Sequence, residues 1–293
     1  MTQSHPVKAA LWMMGAVVSF TSMAVAGREA SHELDTFELM TYRSLIGIVI
    51  VLVISSLAGT HRQIRVNRMR LHFVRNAFHF AGQNLWFYAL TVATLPQVFA
   101  FEFSVPLWIS LTAPFFLAEK LTRARLAAAV VGFVGILLVA RPDMAGLNLG
   151  IIAAAVAAIG FTGSGLATKL LTRTESTTSI LFWLTIMQAG FGIVCAGYDL
   201  DIALPSVSTL PWVVLIGIAG LLAHFCITSA LQIAPAIIVF PMDFVRLPLA
   251  ATIGIMIYAE PLEWIVFAGA AVILGANFVN ILAEQKSRKP ARG

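Results

Sequence analysis

Charge is scarce in this chain. Asp, Glu, Lys and Arg make up only 11% of its 293 residues, where soluble domains average about 25%. Cysteine is scarcer still. The two present, Cys195 and Cys226, both lie in apolar runs, which leaves no disulfide framework and no metal-ligand spacing. There is no P-loop, no H-E-x-x-H helix and no nucleophile elbow. Those absences argue against a nucleotide-driven pump and against an enzyme, although His79 with Glu102 keeps an intramembrane enzyme as an alternative. Period-two alternation is also missing, which excludes a transmembrane barrel. No soluble domain or low-complexity linker interrupts the chain, and neither selectivity-filter nor sensory-domain signatures of a channel or receptor occur.

What is present is apolar surface: 59% hydrophobic residues and a mean hydropathy of +0.89. The sequence therefore predicts an all-α integral membrane protein. Ten apolar stretches approach the ~20 residues that cross a bilayer. They run over 8–27, 36–58, 70–91, 96–118, 124–141, 149–171, 177–197, 210–232, 236–258 and 264–283. Ala24-Val25-Ala26 resembles a cleavage site, but the segment around it recurs later in the chain and is expected to be retained.

The pI of 9.6 raises the question of nucleic acid, and the placement of the charges answers it. Sixteen of the nineteen Lys and Arg residues fall in loops or tails, and fourteen of these lie on one side of the ten-span layout. The positive-inside rule then puts both termini in the cytoplasm. No nucleic-acid partner is expected; the partners are the lipid bilayer and a small-molecule substrate.

The chain also repeats itself. Phe20-Thr21 returns as Phe161-Thr162, Arg28 as Lys169, Ala89-Leu90 as Ala230-Leu231, Val98-Phe99 as Val239-Phe240, and Glu102-Phe103 as Asp243-Phe244. One constant offset in numbering, the repeat shift, relates every pair. Ala118-Glu119 matches Ala259-Glu260 at the same offset. Two units follow, 1–141 and 142–293. Five crossings per unit is an odd number, so the second enters the membrane from the opposite side. Inverted repeats with a site near the midplane are a transporter architecture.

Ionisable and polar residues inside the spans mark the candidate site, because such groups are rare and costly there. Asn76, His79, Gln83 and Trp86 form a stripe on the third span. Phe99, Glu102, Phe103 and Pro106 share a face of the fourth. His224 stands at the repeat equivalent of Gln83. Asp243 and Arg246 stand one helical turn apart on the ninth span and are able to pair. The substrate-binding set is thus Asn76, His79, Gln83, Trp86, Phe99, Glu102, Phe103, His224, Asp243 and Arg246, with Glu102 and Asp243 as candidates for proton coupling. Interhelical hydrogen bonding and internal charge neutralisation are the competing structural roles. Arg43 lies deep in the second span, whereas Arg75, near a span end, is expected to snorkel and Glu38 to be interfacial. Pro106, Pro241 and Pro248 are expected to bend the fourth and ninth spans. Gly132 and Gly135 supply a close-packing face and the basis for a homodimer. No cofactor or metal is expected.

Four motifs carry a family resemblance: Trp86-Phe87-Tyr88-Ala89-Leu90 through Pro96, Phe103-x-x-Pro106-Leu107, Ala118-Glu119-Lys120-Leu121-Thr122, and Gly132-x-x-Gly135 to Arg141-Pro142. Together they resemble the EamA branch of the drug/metabolite transporter superfamily. The resemblance implies ten helices in two inverted five-helix repeats. The first four helices of each half would line a central cavity, and the fifth and tenth would pack at one end. Without a nucleotide-binding motif, transport would be secondary or facilitative. The expected substrate is a small metabolite in a bacterial inner membrane. An amino acid or related zwitterion, exported by alternating access, leads, because the candidate lining holds both signs of charge. Uptake of a nucleoside-, vitamin- or S-adenosylmethionine-like compound is the alternative.

Overall fold

The computed structural model describes residues 5–117, 123–140, 148–198, 201–260 and 264–288. The motif residues Ala118 to Thr122 and the Arg141-Pro142 pair lie outside them. All described secondary structure is helical: α1 Pro6–Ala30, α2 Thr36–Leu57, α3 Met69–Val92, α4 Leu95–Glu102, α5 Val105–Leu117, α6 Arg123–Ala140, α7 Leu149–Leu171, α8 Thr177–Ala196, α9 Leu210–Ile233, α10 Ala236–Val239, α11 Arg246–Tyr258 and α12 Trp264–Arg288. Short 3-10 turns occupy Thr60–Gln63 and Phe240–Val245. Five helices, α1, α2, α7, α8 and α9, are each long and apolar enough to cross a membrane. The protein is a multi-pass membrane protein. A helix in lipid satisfies its backbone internally, which is why continuous apolar runs become helices here.

Helix starts carry explicit caps. Asp35 Oδ1 accepts from Phe37 N and Glu38 N at 2.7 and 2.8 Å, and Glu38 Oε2 accepts from Asp35 N at 2.9 Å, a capping box that satisfies amides left over at the N-terminus of α2. Glu38, in the first turn of α2, is buried against the loop before α9, and its other oxygen accepts from Ala203 N at 2.6 Å. Asn148 and Ser176 cap α7 and α8 with a single bond each, accepting from Gly150 N at 2.8 Å and Ser179 N at 3.1 Å.

The packing follows the repeat shift, which carries α1 onto α7, α2 onto α8, α3 onto α9 and α6 onto α12. The most extensive contacts are α3 against α7 and α1 against α9, and each of these pairs maps onto the other. The next, α6 against α12 and α2 against α8, map onto themselves. At the α3–α7 crossing, a Cβ on Gly160 would stand 2.8 Å from both Phe78 O and Gly82 Cα. Only glycine lets two backbones approach so closely there.

Two of the apolar spans are broken rather than continuous helices. The stretch 96–118 divides into α4 and α5 at Phe103–Ser104. Ser104 N bonds Phe101 O at 3.0 Å and Ser104 Oγ bonds the same carbonyl at 2.6 Å, so the chain tightens just before Pro106. Proline has no amide with which to continue the ladder from Glu102 and is tolerated in the first turn of a new helix. Pro114, by contrast, sits inside α5 without ending it. The stretch 236–258 divides into α10, the six-residue 3-10 turn and α11. Both breaks release backbone from regular helix beside the same internal cavity, where irregular structure is tolerated in membrane proteins.

Candidate functional site

The cavity is lined by α1, α3, α7 and α9 with the two breaks. Its α3 wall is a ladder of Arg75, His79, Gln83 and Trp86, at steps of four, four and three residues on one helical face. Eleven residues at ~1.5 Å each place Arg75 and Trp86 about 16 Å apart along α3. Phe20, Phe103, Phe161 and Phe240 give the remaining walls an aromatic character, and Thr168, His224 and Asp243 add polar groups.

One end is built on the helix breaks. Arg246 opens α11 and is 0% exposed. Its Nη2 donates to Glu102 Oε1 at 2.7 Å and also to Asp243 Oδ2. Trp86 Nε1 donates to Glu102 Oε2 at 2.9 Å. The guanidinium lies over Phe99 and Phe20, 4.8 and 5.0 Å from the ring centroids, a cation–π arrangement strengthened by exclusion of water. Two carboxylates against one guanidinium leave this end with a formal charge of −1. The carboxylates keep a small opening to the cavity, with side-chain exposures of 15% for Glu102 and 17% for Asp243. Asp243 Oδ1 has no hydrogen-bond partner.

The other end is basic. Arg75 is 1% exposed; its Nε donates to Thr168 Oγ1 at 3.1 Å and its Nη1 to Asn76 Oδ1 at 2.9 Å. Both partners are neutral, and no carboxylate among the described residues meets it. His79 and His224 cross edge-to-face with centroids 4.6 Å apart. The Nε2 atom of each ring lacks a partner. Arg43 is buried behind them on α2, with Met40 Sδ at 3.8 Å as its hydrogen-bond contact and its Nε unpartnered.

Of the ten residues predicted to bind substrate, His79, Gln83, Trp86, Glu102, Phe103, His224 and Asp243 line one cavity. Phe99 and Arg246 stand behind that lining, Phe99 as the surface on which the arginine rests. Asn76 does not reach the lining. Its Nδ2 donates to His72 O at 2.9 Å and Trp183 O at 3.3 Å, and its backbone carbonyl accepts from Gln188 Nε2 at 2.8 Å. It joins α3 to α8, the interhelical role of such amides. Arg75 does not snorkel as its place near a span end predicts; the structure turns it inward. The stripe signal could have found it, since Arg75 stands one helical turn before His79. Thr168, Phe161 and Phe240 carried no such signal, because they reach the cavity only through the α3–α7 and α9–α10 packing. Among the described residues no group of three metal-ligating side chains gathers.

A helical bundle around an internal cavity with aromatic walls and charged ends defines a membrane protein built to hold a small solute. The comparisons give the particular family. Residues 7–141 match the model of the EamA-like transporter family. The chain is 30% identical over 271 residues to a riboflavin transporter of Brucella anthropi, covering 90% of this chain and 95% of that protein. It is 27% identical over 277 residues to an S-adenosylmethionine uptake transporter of Rickettsia felis, covering 94% and 93%, and 28% identical over 294 residues to a riboflavin transporter of Vibrio cholerae, covering 97% of each. A solved crystal structure aligns with a TM-score of 0.70 at 19% identity, over 96% of this chain and 99% of that one, and supports the fold. The chain belongs to the EamA-type transporters of the drug/metabolite transporter superfamily.

Proposed function

We propose that this protein is a bacterial inner-membrane carrier that takes up a metabolite with a flat, nitrogen-bearing ring system and a polar tail, of the S-adenosylmethionine or riboflavin type. The carrying observation is the cavity's polarity: an unpartnered acceptor, Asp243 Oδ1, at one end and a neutral-partnered arginine with two unpartnered imidazole nitrogens at the other. Aromatic rings wall the space between them. An N–H donor carried on the ring system suits the first end, the ring faces suit the walls, and the tail suits the second. The sequence-based preference for an amino acid becomes a preference for something longer. The ammonium and carboxylate of an α-amino acid are carried by a single carbon, so it engages one end and leaves the other unused. The names of relatives that align over nearly the whole chain support the ring-bearing reading, and the name of the S-adenosylmethionine relative favours uptake over export.

The decisive experiment is uptake of radiolabelled S-adenosylmethionine and of riboflavin into proteoliposomes holding the full chain. Saturable accumulation of at least one is expected. Accumulation of neither, with no thermal shift of the purified protein by either, would overturn the proposal.

We further read the chain as ten crossings in two inverted units, 1–141 and 142–293, with both termini cytoplasmic. The exchange of the α3–α7 and α1–α9 pairs under the repeat shift supports this, as does the segregation of Lys and Arg. A periplasm-dependent reporter fused after Arg292 should be silent, and one inserted at Asp201 should be active; the reverse pattern refutes the topology. Within the cycle, Glu102 and Asp243 are the proposed proton-coupling groups and Arg246 their counter-charge. Glu102→Gln should then keep binding but lose the pH dependence of flux, and an unchanged pH profile would assign Glu102 to structure alone.

A further inference from the structure

We propose that Arg75, with His79 and His224 beside it, forms a subsite for a carboxylate on the transported molecule. The carrier is thereby specific for an acid-bearing metabolite rather than a neutral one. This rests on the substrate reading above and narrows it: S-adenosylmethionine carries such a carboxylate on its tail, and riboflavin does not.

The arginines at the two ends of the cavity differ in what holds them. Arg246 is the poorer anchor for a substrate anion: its Nε and Nη1 are unpartnered, but two carboxylates, Glu102 and Asp243, already answer its charge at Nη2, and the side chain is fully buried behind the cavity lining. Arg75 is as deeply buried and carries the same charge, yet it is held by a threonine hydroxyl and an asparagine carbonyl alone. A buried cation with only neutral partners retains much of its desolvation cost, and a carboxylate brought to it forms a charge-assisted bond in water-poor surroundings. The neighbours add to the same sign. Arg43 lies within electrostatic range of Arg75, and both act on His79 and His224. Even with neutral imidazoles, this end of the cavity carries an unneutralised positive charge. The two imidazole rings line the same cavity beside Arg75 and add polar surface there.

Charge counting sets the class of anion. One guanidinium faces the cavity at this end, which matches one carboxylate; a doubly charged phosphate ester would need the second, Arg43, which stands behind on α2. The repeat equivalent of Arg75 is the apolar Ile216, so the subsite exists once. Arg75 also joins α3 to α7 through Thr168. A carboxylate drawn to it therefore binds at the seam between helices of the two sequence units, where it can bias how they sit on one another.

A purely structural role, as a strut between α3 and α7, is separated from this by ligand pairs. Affinities of the full-length purified protein are measured for S-adenosylmethionine, for its carboxamide analogue and for riboflavin. In the unmodified protein the carboxylate compound should bind roughly 10- to 100-fold more tightly than the carboxamide, the worth of one hydrogen bond to a charged group. Arg75→Gln should reduce that ratio to near one, and Arg75→Lys should restore part of it. If S-adenosylmethionine binds and the carboxamide binds equally well, the subsite is refuted and the transport reading stands. If riboflavin alone binds, the subsite is likewise refuted. If none of the three binds, the substrate reading falls and the subsite with it. Should Arg75→Gln fail to fold, the carboxylate-to-carboxamide ratio in the unmodified protein still decides.

Discussion

Arg28 and Lys169 do the same work in two parts of the molecule. Arg28, near the end of α1, donates from Nε to Leu90 O at 2.9 Å and from Nη2 to Ala93 O at 2.7 Å. Lys169, near the end of α7, donates from Nζ to Leu231 O at 2.6 Å and to Ala234 O at 3.0 Å. The donor and both acceptors of the first tie map onto those of the second by the repeat shift. Both side chains tie one helix to the carbonyls that end another, α3 in the first case and α9 in the second, where cations are favoured. The chemistry at the cavity does not follow this symmetry. Glu102 returns as Asp243, but Arg246 corresponds to Val105, Arg75 to Ile216 and Arg43 to Leu184. The first break spans two residues and the second a six-residue 3-10 turn. The scaffold and one acid are thus doubled, and the three buried arginines are single.

The largest effect should come from breaking the part that is not doubled. Arg246→Met strands Glu102 and Asp243 beside a water-poor cavity, and removing one partner of a buried ionic group typically costs about 3–5 kcal/mol. The midpoint of thermal unfolding in detergent should fall sharply, with loss of monodisperse protein. Adding Glu102→Gln and Asp243→Asn to the same chain should recover most of the loss, because neither amide then leaves an unpaired charge. An Arg246→Met protein as stable as the parent would mean that the three groups are not an ionic cluster.

A smaller effect is expected at the doubled positions, and it tests the doubling itself. Arg28→Ala and Lys169→Ala each remove hydrogen bonds from a charged donor, worth about 1.5–3 kcal/mol apiece. Both variants should be destabilised, to a comparable degree. Arg28→Lys should be only partly tolerated, because Arg28 spends three nitrogens on Leu90 O, Ala93 O and Glu260 and lysine has one. If either alanine variant were silent, the two ties would be a coincidence of numbering rather than a shared device.

Much of this was legible in the chain. Continuous apolar runs dictated the helices, and the matches between the two halves foretold which side chains recur, Arg28 with Lys169 among them. The cluster of Glu102, Asp243 and Arg246 followed from the rarity of charge within apolar spans. Other features were invisible for physical reasons. A proline announces a bend but not its place: the chain breaks at Phe103–Ser104, before Pro106, and passes Pro114 unbroken. Asn76 and Arg75 are adjacent in sequence and point to different tasks, one toward α8 and one into the cavity. Periodicity assigns a residue to a face, but which neighbour covers that face is decided by packing such as the Gly160–Gly82 approach.

The smallest effect concerns a surface tie that the doubling does not share. Glu33, in the loop after α1, accepts from Ser206 N at 2.6 Å and from Ser206 Oγ at 2.7 Å. Its repeat equivalent is Thr174, which brings no charge. Hydrogen bonds from the Thr209 and Ser206 side chains and from the Ser206 amide hold the Glu33 carboxyl below its ordinary pKa. A carboxyl depressed in the folded state adds stability that is complete above its unfolded pKa, and that stability is lost as pH falls through the lower folded value. Glu33→Gln should therefore lower the unfolding midpoint slightly at neutral pH. The gap between parent and variant should close as the pH is taken below about 4, the ordinary carboxylate range. The shift will be small because the group is exposed and water competes for it. A gap that persisted unchanged into acid would mean that Glu33 acts through packing or neutral hydrogen bonding, and the loop tie would then owe nothing to its charge.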